Sequence, residues 1–391
     1  MRVRDIVARV LQEVAGRIHA RRRAAILAVV DGIVQAGRLS LTSIGRAVRS
    51  RALAKHSIKR VDRLLGNGTF RSERWLQFEA LSRYLLDGAQ RPVVVVDWTK
   101  VVGDFFALYA AVPVGGRAQT LYLEVHPERR AENAGVHARF LRSLRDVLPP
   151  GGRPIVVTDA GFHGPFFREV QRLGWDFVGR VRGRTTMRKE GRSRWTSVAR
   201  LYRRAAATAT DLGVFWLYKK VRPLEARLVQ VRRPKAVGHP WRGRLSADHA
   251  STMRSGKDPW LLATSLRAHR PATIVRLYAT RMQIEETFRD TKNHRFGWCL
   301  RDVRSSSAQR LEALLLLCTL AMVAVTLVGL ATERRGLHRG YQANTVRRRV
   351  LSHFVLGLVV IRAHARSHPR AADLTAVLKS LHRRAANPAK S

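Results

Sequence analysis

Two uninterrupted β-branched runs constrain this chain of 391 residues more than any other feature. RPVVVVDWT and RPIVVTDAGFHG each lead directly into an aspartate, Asp97 and Asp159. Continuous apolar runs of this kind read as strands buried on both faces, the strands of α/β folds. The ends of such strands are where those folds place chemistry. An acid there is not solvated by the strand it terminates, so it requires a metal ion, a cation or a helix terminus beside it. Taken singly, each aspartate also fits a strand that ends in Asp only to cap the next helix.

A third acid comes with its own cations. In YATRMQIEETFRDTK, Tyr278, Arg281, Glu285 and Lys292 stand at offsets of 0, 3, 7 and 14. At about 100° per residue, one continuous helix would project all four from a single narrow face. Leu277, Ile284 and Phe288 form a neighbouring apolar stripe that can dock such a helix on a core. The same pattern also describes an amphipathic surface helix with ordinary ion pairs.

The spacing Y-x2-R-x3-E-x6-K, together with the two strand aspartates, resembles the DDE transposases of the insertion sequence 4 family. The likeness extends to VVVVDWT, VVTDAGFHGPFF, KHSIKRVDRLLGN, RMQIEETFRDTK and YQANTVRRRVLS, so it covers almost the whole chain. It is nearest to the transposon ten transposase branch and more distant from the transposon five transposase. The resemblance implies that Asp97, Asp159 and Glu285 are the catalytic, metal-holding acids. Tyr278, Arg281 and Lys292 would contact DNA phosphates.

Composition agrees with a polyanionic partner. Lys and Arg number 73 against 28 acidic residues, a formal charge of +45. That is far beyond the magnitude of about 2–8 that solubility asks of a small domain. The only cysteines, Cys299 and Cys318, offer no disulfide framework or CxxC pair, and the histidines show no HExxH spacing, so neither reads as a zinc site. A reducing bacterial cytoplasm, with the protein on the nucleoid, is the expected location. Residues 311–331, LEALLLLCTLAMVAVTLVGLA, match a membrane span in length but carry one charge, Glu312. Flanking arginines on both sides give no positive-inside asymmetry, so a buried core helix is expected and no membrane partner.

The expected fold class is α/β, a ribonuclease H-like catalytic core with an inserted β-rich subdomain, flanked by helical N- and C-terminal regions. Residues 1–75 read as a helical DNA-binding domain. Within it KHSIKRVDRLL carries Lys59 and Arg60 on a helix expected to read DNA, although a merely solvated basic face has the same pattern. Residues 90–180 and 257–310 form the core. FFALYAAVPV and AQTLYLEV around Gly115–Gly116 read as a hairpin, and a helix through Ala131 to Leu148 precedes the second aspartate strand. The stretch from Asp159 to Glu285 is far longer than one connecting helix needs, which implies the insert, residues 181–256. FWLYKKVRPLEARLVQVRRPK inside it reads as a basic β-ribbon, and Arg180, Arg182, Arg184, Lys219, Lys220, Arg222, Arg232 and Arg233 are candidates to track phosphates. Residues 311–391 form a helical C-terminal region with possible dimer contacts, ending in a polar tail, RRAANPAKS, expected to be disordered.

Phosphodiester cleavage needs an activated oxygen nucleophile, charge stabilisation at phosphorus and help for the leaving oxygen, and two divalent ions supply all three. Three carboxylates suit hard ions, so two Mg2+ are expected, with Mn2+ able to substitute. The reaction implied is cut-and-paste transposition: nicking, hairpin formation and opening, then attack of the 3′ hydroxyl on target DNA. The partners are double-stranded DNA, as terminal inverted repeats and as target, and a second copy of the chain in a synaptic homodimer. Trp260, in DPWLLATS, stands where transposon five relatives carry a tryptophan, and is a candidate to stack on an extruded base; a core aromatic is the alternative. Two other functions fit less of the sequence: a DNA-binding protein derived from such a transposase without catalysis, and a ribonuclease H-like nuclease without strand transfer.

Overall fold

A computed structural model describes residues 2–183, 185–220, 222–232, 258–295, 297–363 and 369–386. The chain forms two compact units, Met1–Gly152 with Met282–Ser391, and Arg153–Arg281. Both mix helices with strands, an α/β composition with a mixed sheet.

The first unit opens with six α-helices: α1 (Val3–Val10), α2 (Ala20–Ala36), α3 (Leu41–Ala47), α4 (Ala54–Gly66), α5 (Gly68–Ser72) and α6 (Arg74–Leu86). Three antiparallel strands follow, β1 (Val93–Lys100), β2 (Phe105–Val114) and β3 (Arg117–Pro127), with β2 in the middle. The β2–β3 connection is the two residues Gly115 and Gly116, both at positive φ (58° and 86°). That is the type I′ geometry whose twist matches the flanking strands, so the glycines are required there. Helix α7 (Ala134–Val147) begins at Asn133, whose side chain accepts from the N–H groups of Gly135 and Val136.

The second unit contains β4 (Ile155–Thr158), α8 (Gly164–Arg172), β5 (Asp176–Arg180), β6 (Thr186–Lys189), β7 (Thr196–Ser197), β8 (Thr210–Leu217), β9 (Leu224–Val231), β10 (Trp260–Thr264) and α9 (Pro271–Ala279). Its sheet runs β4-β5-β10-β9-β8-β6-β7. The β4–β5 pair is parallel and the others are antiparallel. The basic ribbon is therefore β8 with β9, and it continues the sheet through β10. Residues 233–257, with Arg233, and Arg184 lie outside the described residues.

The chain then returns to the first unit with α10 (Met282–Lys292), α11 (Ala308–Arg334), α12 (His353–Arg362) and α13 (Ala371–Ala386). Helix α11 is the apolar segment of membrane-span length, and its most apolar stretch is 94% buried inside the protein. A helix apolar all round suits a position with protein on every side. Glu312 explains the one charge: it accepts the Val125 N–H at 3.0 Å and pairs with Arg74 at 3.4 Å. Gly329 and Gly357 bring α11 and α12 together, since a methyl on either would overlap a carbonyl of the facing helix.

The expected disordered tail is partly ordered, because Arg383–Ala386 continue α13 behind the buried Leu381 and Ala385; residues 387–391 lie outside the described residues. The expectation for β1 also needs correction. Asp97 is not its last residue: the strand runs on to Lys100 because β2 pairs with it that far, Asp97 opposite Tyr109 and Lys100 opposite Phe106.

Candidate active site

Alternation along β1 places Asp97 and Thr99 on one face and Trp98 on the other. On its own side, Trp98 donates its indole N–H to His137 Nε2 at 2.9 Å and meets the His126 ring edge-on at 5.7 Å. Its backbone N–H donates to Asp97 Oδ1 at 2.9 Å, fixing one oxygen of that half-buried carboxylate. On the other side, Lys292 Nζ donates to Thr99 Oγ1 at 2.6 Å. Desolvation, reinforced by Arg301 and opposed by Asp97, lowers the Lys292 ammonium to about 8.

Three attachments in the same unit hold the helix that carries Lys292. Thr287 Oγ1 accepts from the Ala118 N–H at 2.8 Å, and its hydroxyl donates to the Ala118 carbonyl at 3.0 Å. Arg117 Nε meets Asp290 Oδ2 at 2.5 Å, with only 17% and 9% of the two side chains exposed. Burial still outweighs the guanidinium and raises the Asp290 carboxyl. Phe288 meets the Tyr109 ring edge-on at 5.1 Å, while Ile284 is fully buried. Helix α10 is thus bolted to β2 and β3. Glu285, half-buried and seven residues before Lys292, lies on the same helical face about two turns away.

The expectation of one rigid helix from Tyr278 to Lys292 is overturned. Tyr278 belongs to α9, Glu285 and Lys292 belong to α10, and Thr280 and Arg281 form a turn between them. Thr280 stands at the break. Its hydroxyl donates to the Leu277 carbonyl at 2.6 Å, the acceptor that a continuing helix would offer to the Arg281 N–H, which bonds Tyr278 instead. The four residues therefore do not share one helix face, and the break coincides with the boundary between the units.

In the second unit, Asp159 follows β4 directly and is half-buried; its Oδ1 accepts from the Gly161 N–H at 2.9 Å. Tyr278 is 3% exposed, hydrogen-bonded to Arg281, and held above the usual tyrosine range by burial, against the pull of Arg281 and Arg180. Trp260, half-buried as the first residue of β10, packs edge-on against the Tyr278 ring at 4.8 Å and 77°. Arg180 is 7% exposed rather than part of an open phosphate track, whereas Arg182, Lys219, Lys220, Arg222 and Arg232 are exposed.

Lys59 and Arg60 are exposed on α4, whose Val61, Leu64 and Leu65 are buried. Arg60 and Arg63 line a cavity of about 420 Å3 with His19, Arg21, Arg22 and His56, a concentration of positive charge at the α2–α4 junction.

The structure thus brings Asp97 and Lys292 together in one unit, with Glu285 on the Lys292 face. It gathers Trp260, Tyr278, Arg281 and Arg180 in the other, where Asp159 also stands. Thr99 and Arg301 are site residues that sequence reading missed. Thr99 was available from period-2 alternation, two residues after Asp97, while nothing in the sequence marks Arg301 among so many arginines.

Residues 88–322, more than half of the chain, match the family model of the Transposase DDE domain. No curated protein matches the chain. Among solved structures, it is similar to a cryo-EM structure of the piggyBac transposase synaptic complex with hairpin DNA, at 11% identity and a TM-score of 0.41, over 97% of this chain and 82% of that one. The matched segment takes in Asp97, Asp159, Glu285 and Lys292, and the chain belongs to the DDE-domain transposases, a family of DNA-cutting and DNA-joining enzymes of transposition.

Proposed function

We propose that the chain is a transposase of the insertion sequence 4 type, close to the transposon ten branch, that excises and inserts its element by cut-and-paste. The observation that carries this reading is the Lys292–Thr99 bond beside Asp97, inside a segment matching the transposase family. It supports the reading because Lys292, the last member of the proposed Tyr-Arg-Glu-Lys signature, bonds a residue two positions from the proposed first acid.

Asp97, Asp159 and Glu285 are the proposed ligands of two Mg2+ ions, on a ribonuclease H-like core. The donor set fits hard ions: all three are carboxylates, and Asp97 and Asp159 each have one oxygen oriented by a backbone N–H. Bound there, the ions would activate oxygen nucleophiles and stabilise charge at phosphorus. Lys292, charged below about pH 8, offers a cation to a phosphate next to Asp97. Arg281 does the same from the end of α9, with Tyr278 orienting its guanidinium. The half-buried Trp260 supplies an aromatic edge on which an extruded base can stack.

In this scheme, water nicks one strand at the element's end. The 3′ hydroxyl released attacks the opposite strand, water reopens the hairpin, and the same hydroxyl attacks target DNA. Each step exchanges one P–O bond for another. Synapsis of two ends calls for a homodimer on DNA, in the bacterial cytoplasm. The test incubates the protein with Mg2+ and duplexes bearing the inverted repeat that flanks its gene, then resolves the products on denaturing gels. A hairpin on the element side is the expected intermediate; double-strand breaks reached with no hairpin contradict the proposal.

A further inference from the structure

The loop that follows Lys292 holds a group of side chains that the transposition chemistry does not use. His294, Cys299 and Asp302 place one ligand-capable atom each within 4.8 Å of the others. His294 Nδ1 stands 3.5 Å from Asp302 Oδ1, and the Cys299 thiol faces the His294 carbonyl at 3.6 Å. In a tetrahedral zinc site, the usual bond lengths separate N, O and S ligand atoms by roughly 3.3–3.6 Å. The His294–Asp302 separation falls in that range, and the Cys299 sulfur lies within 4.8 Å of both.

The backbone is shaped around this cluster. Cys299 is in the left-handed region, φ 54° and ψ 42°, which a non-glycine residue occupies only when its surroundings hold it there. They do: the Cys299 N–H donates to the Asn293 carbonyl, the Trp298 N–H to the Asp290 carbonyl, and the Asp302 N–H to the Cys299 carbonyl. Trp298 beneath it is fully buried against Phe354. The loop is therefore tied at both ends, with the buried thiol facing two exposed partners, His294 and Asp302.

We propose that His294, Cys299 and Asp302 form a site for one borderline divalent transition ion, of which Zn2+ is the type, with a water molecule in the fourth position. Mixed N, S and O donors suit zinc or cobalt and disfavour Mg2+, so this site and the all-carboxylate triad select different ions. Binding converts the Cys299 thiol to a thiolate and releases its proton to solvent. The two anionic ligands then balance the charge of the ion.

The test uses Co2+ as a spectroscopic probe on the full chain, freed of metal with chelator under reducing conditions. One equivalent should produce a near-ultraviolet sulfur-to-cobalt charge-transfer band with intense tetrahedral visible bands, and Zn2+ should bleach them. Cys299→Ser should abolish the charge-transfer band, whereas Cys318→Ala, which removes the buried thiol in α11, should retain it. His294→Ala and Asp302→Asn change exposed side chains and so test the site without unfolding the loop; each should weaken cobalt binding at least about tenfold. No charge-transfer band in the wild type, a band that survives Cys299→Ser, or unchanged affinity in both exposed-ligand variants would overturn the proposal.

Discussion

Lys292 reaches across from α10 to donate a 2.6 Å hydrogen bond to Thr99 Oγ1, two residues along β1 from Asp97. A cation is thereby desolvated next to a carboxylate of the proposed triad, and its ammonium falls from the usual 10.5 to about 8. Between those two values the unfolded chain binds more protons at this position than the folded one, so the Lys292 contribution makes stability rise with pH.

Lys292→Met should remove that dependence. The stability of wild type relative to Lys292→Met should increase by roughly 2–4 kcal/mol from pH 8 to pH 10.5. Urea unfolding of both proteins at several pH values, without divalent metal, measures the difference. A pH-independent difference would mean that Lys292 is solvated.

Arg117→Ala should loosen α10, because it leaves Asp290 buried without its cation. Losing one member of a buried pair costs about 3–5 kcal/mol. Burial already raises the Asp290 carboxyl, and removing Arg117 raises it further. The destabilisation should therefore be larger at pH 8 than near pH 5, because protonation of the raised acid relieves it. Equal destabilisation at both values in urea titrations would contradict the role assigned to the pair.

Much of the first unit could be read before any coordinates, because its signals are local. The Gly115–Gly116 turn, the continuous apolar run in VVVVDWT and the apolar run of α11 each report their own geometry. The continuity of Tyr278 to Lys292 could not be read this way. Helical periodicity is blind to a local shift in backbone hydrogen bonding, and Thr287 and Thr291 also bond back to carbonyls of the preceding turn inside the unbroken α10. The burial of Arg180 and the Arg301–Lys292 coupling escaped for a different reason: among 73 basic residues, charge alone singles out no position.

Non-specific DNA affinity should fall steeply as salt rises, given the charge of +45. Lys59→Ala with Arg60→Ala should lower the slope of log affinity against log salt by roughly 2 and weaken discrimination between end and random duplexes. Fluorescence anisotropy at several salt concentrations provides both readings. Unchanged slope and unchanged discrimination would remove α4 from the DNA interface.

Trp260→Ala should leave the first nick near the wild-type rate and slow hairpin formation by about 5-fold to 150-fold, the kinetic equivalent of roughly 1–3 kcal/mol of base stacking. Because Trp260 also packs on Tyr278, Trp260→Phe should recover much of the loss. A time course of nicked against hairpinned end DNA makes the comparison. Wild-type hairpin formation in the alanine variant would assign Trp260 to packing alone.

Asp97, Asp159 and Glu285 are proposed to act together on one phosphodiester. The most direct measurement is Mg2+-dependent nicking of end DNA by Asp97→Ala, Asp159→Ala and Glu285→Ala, beside end binding of each variant in the absence of cleavage. Each substitution should reduce nicking by roughly 1,000-fold or more while end binding stays within a few-fold of wild type. Wild-type nicking by any one of the three variants would contradict that joint action.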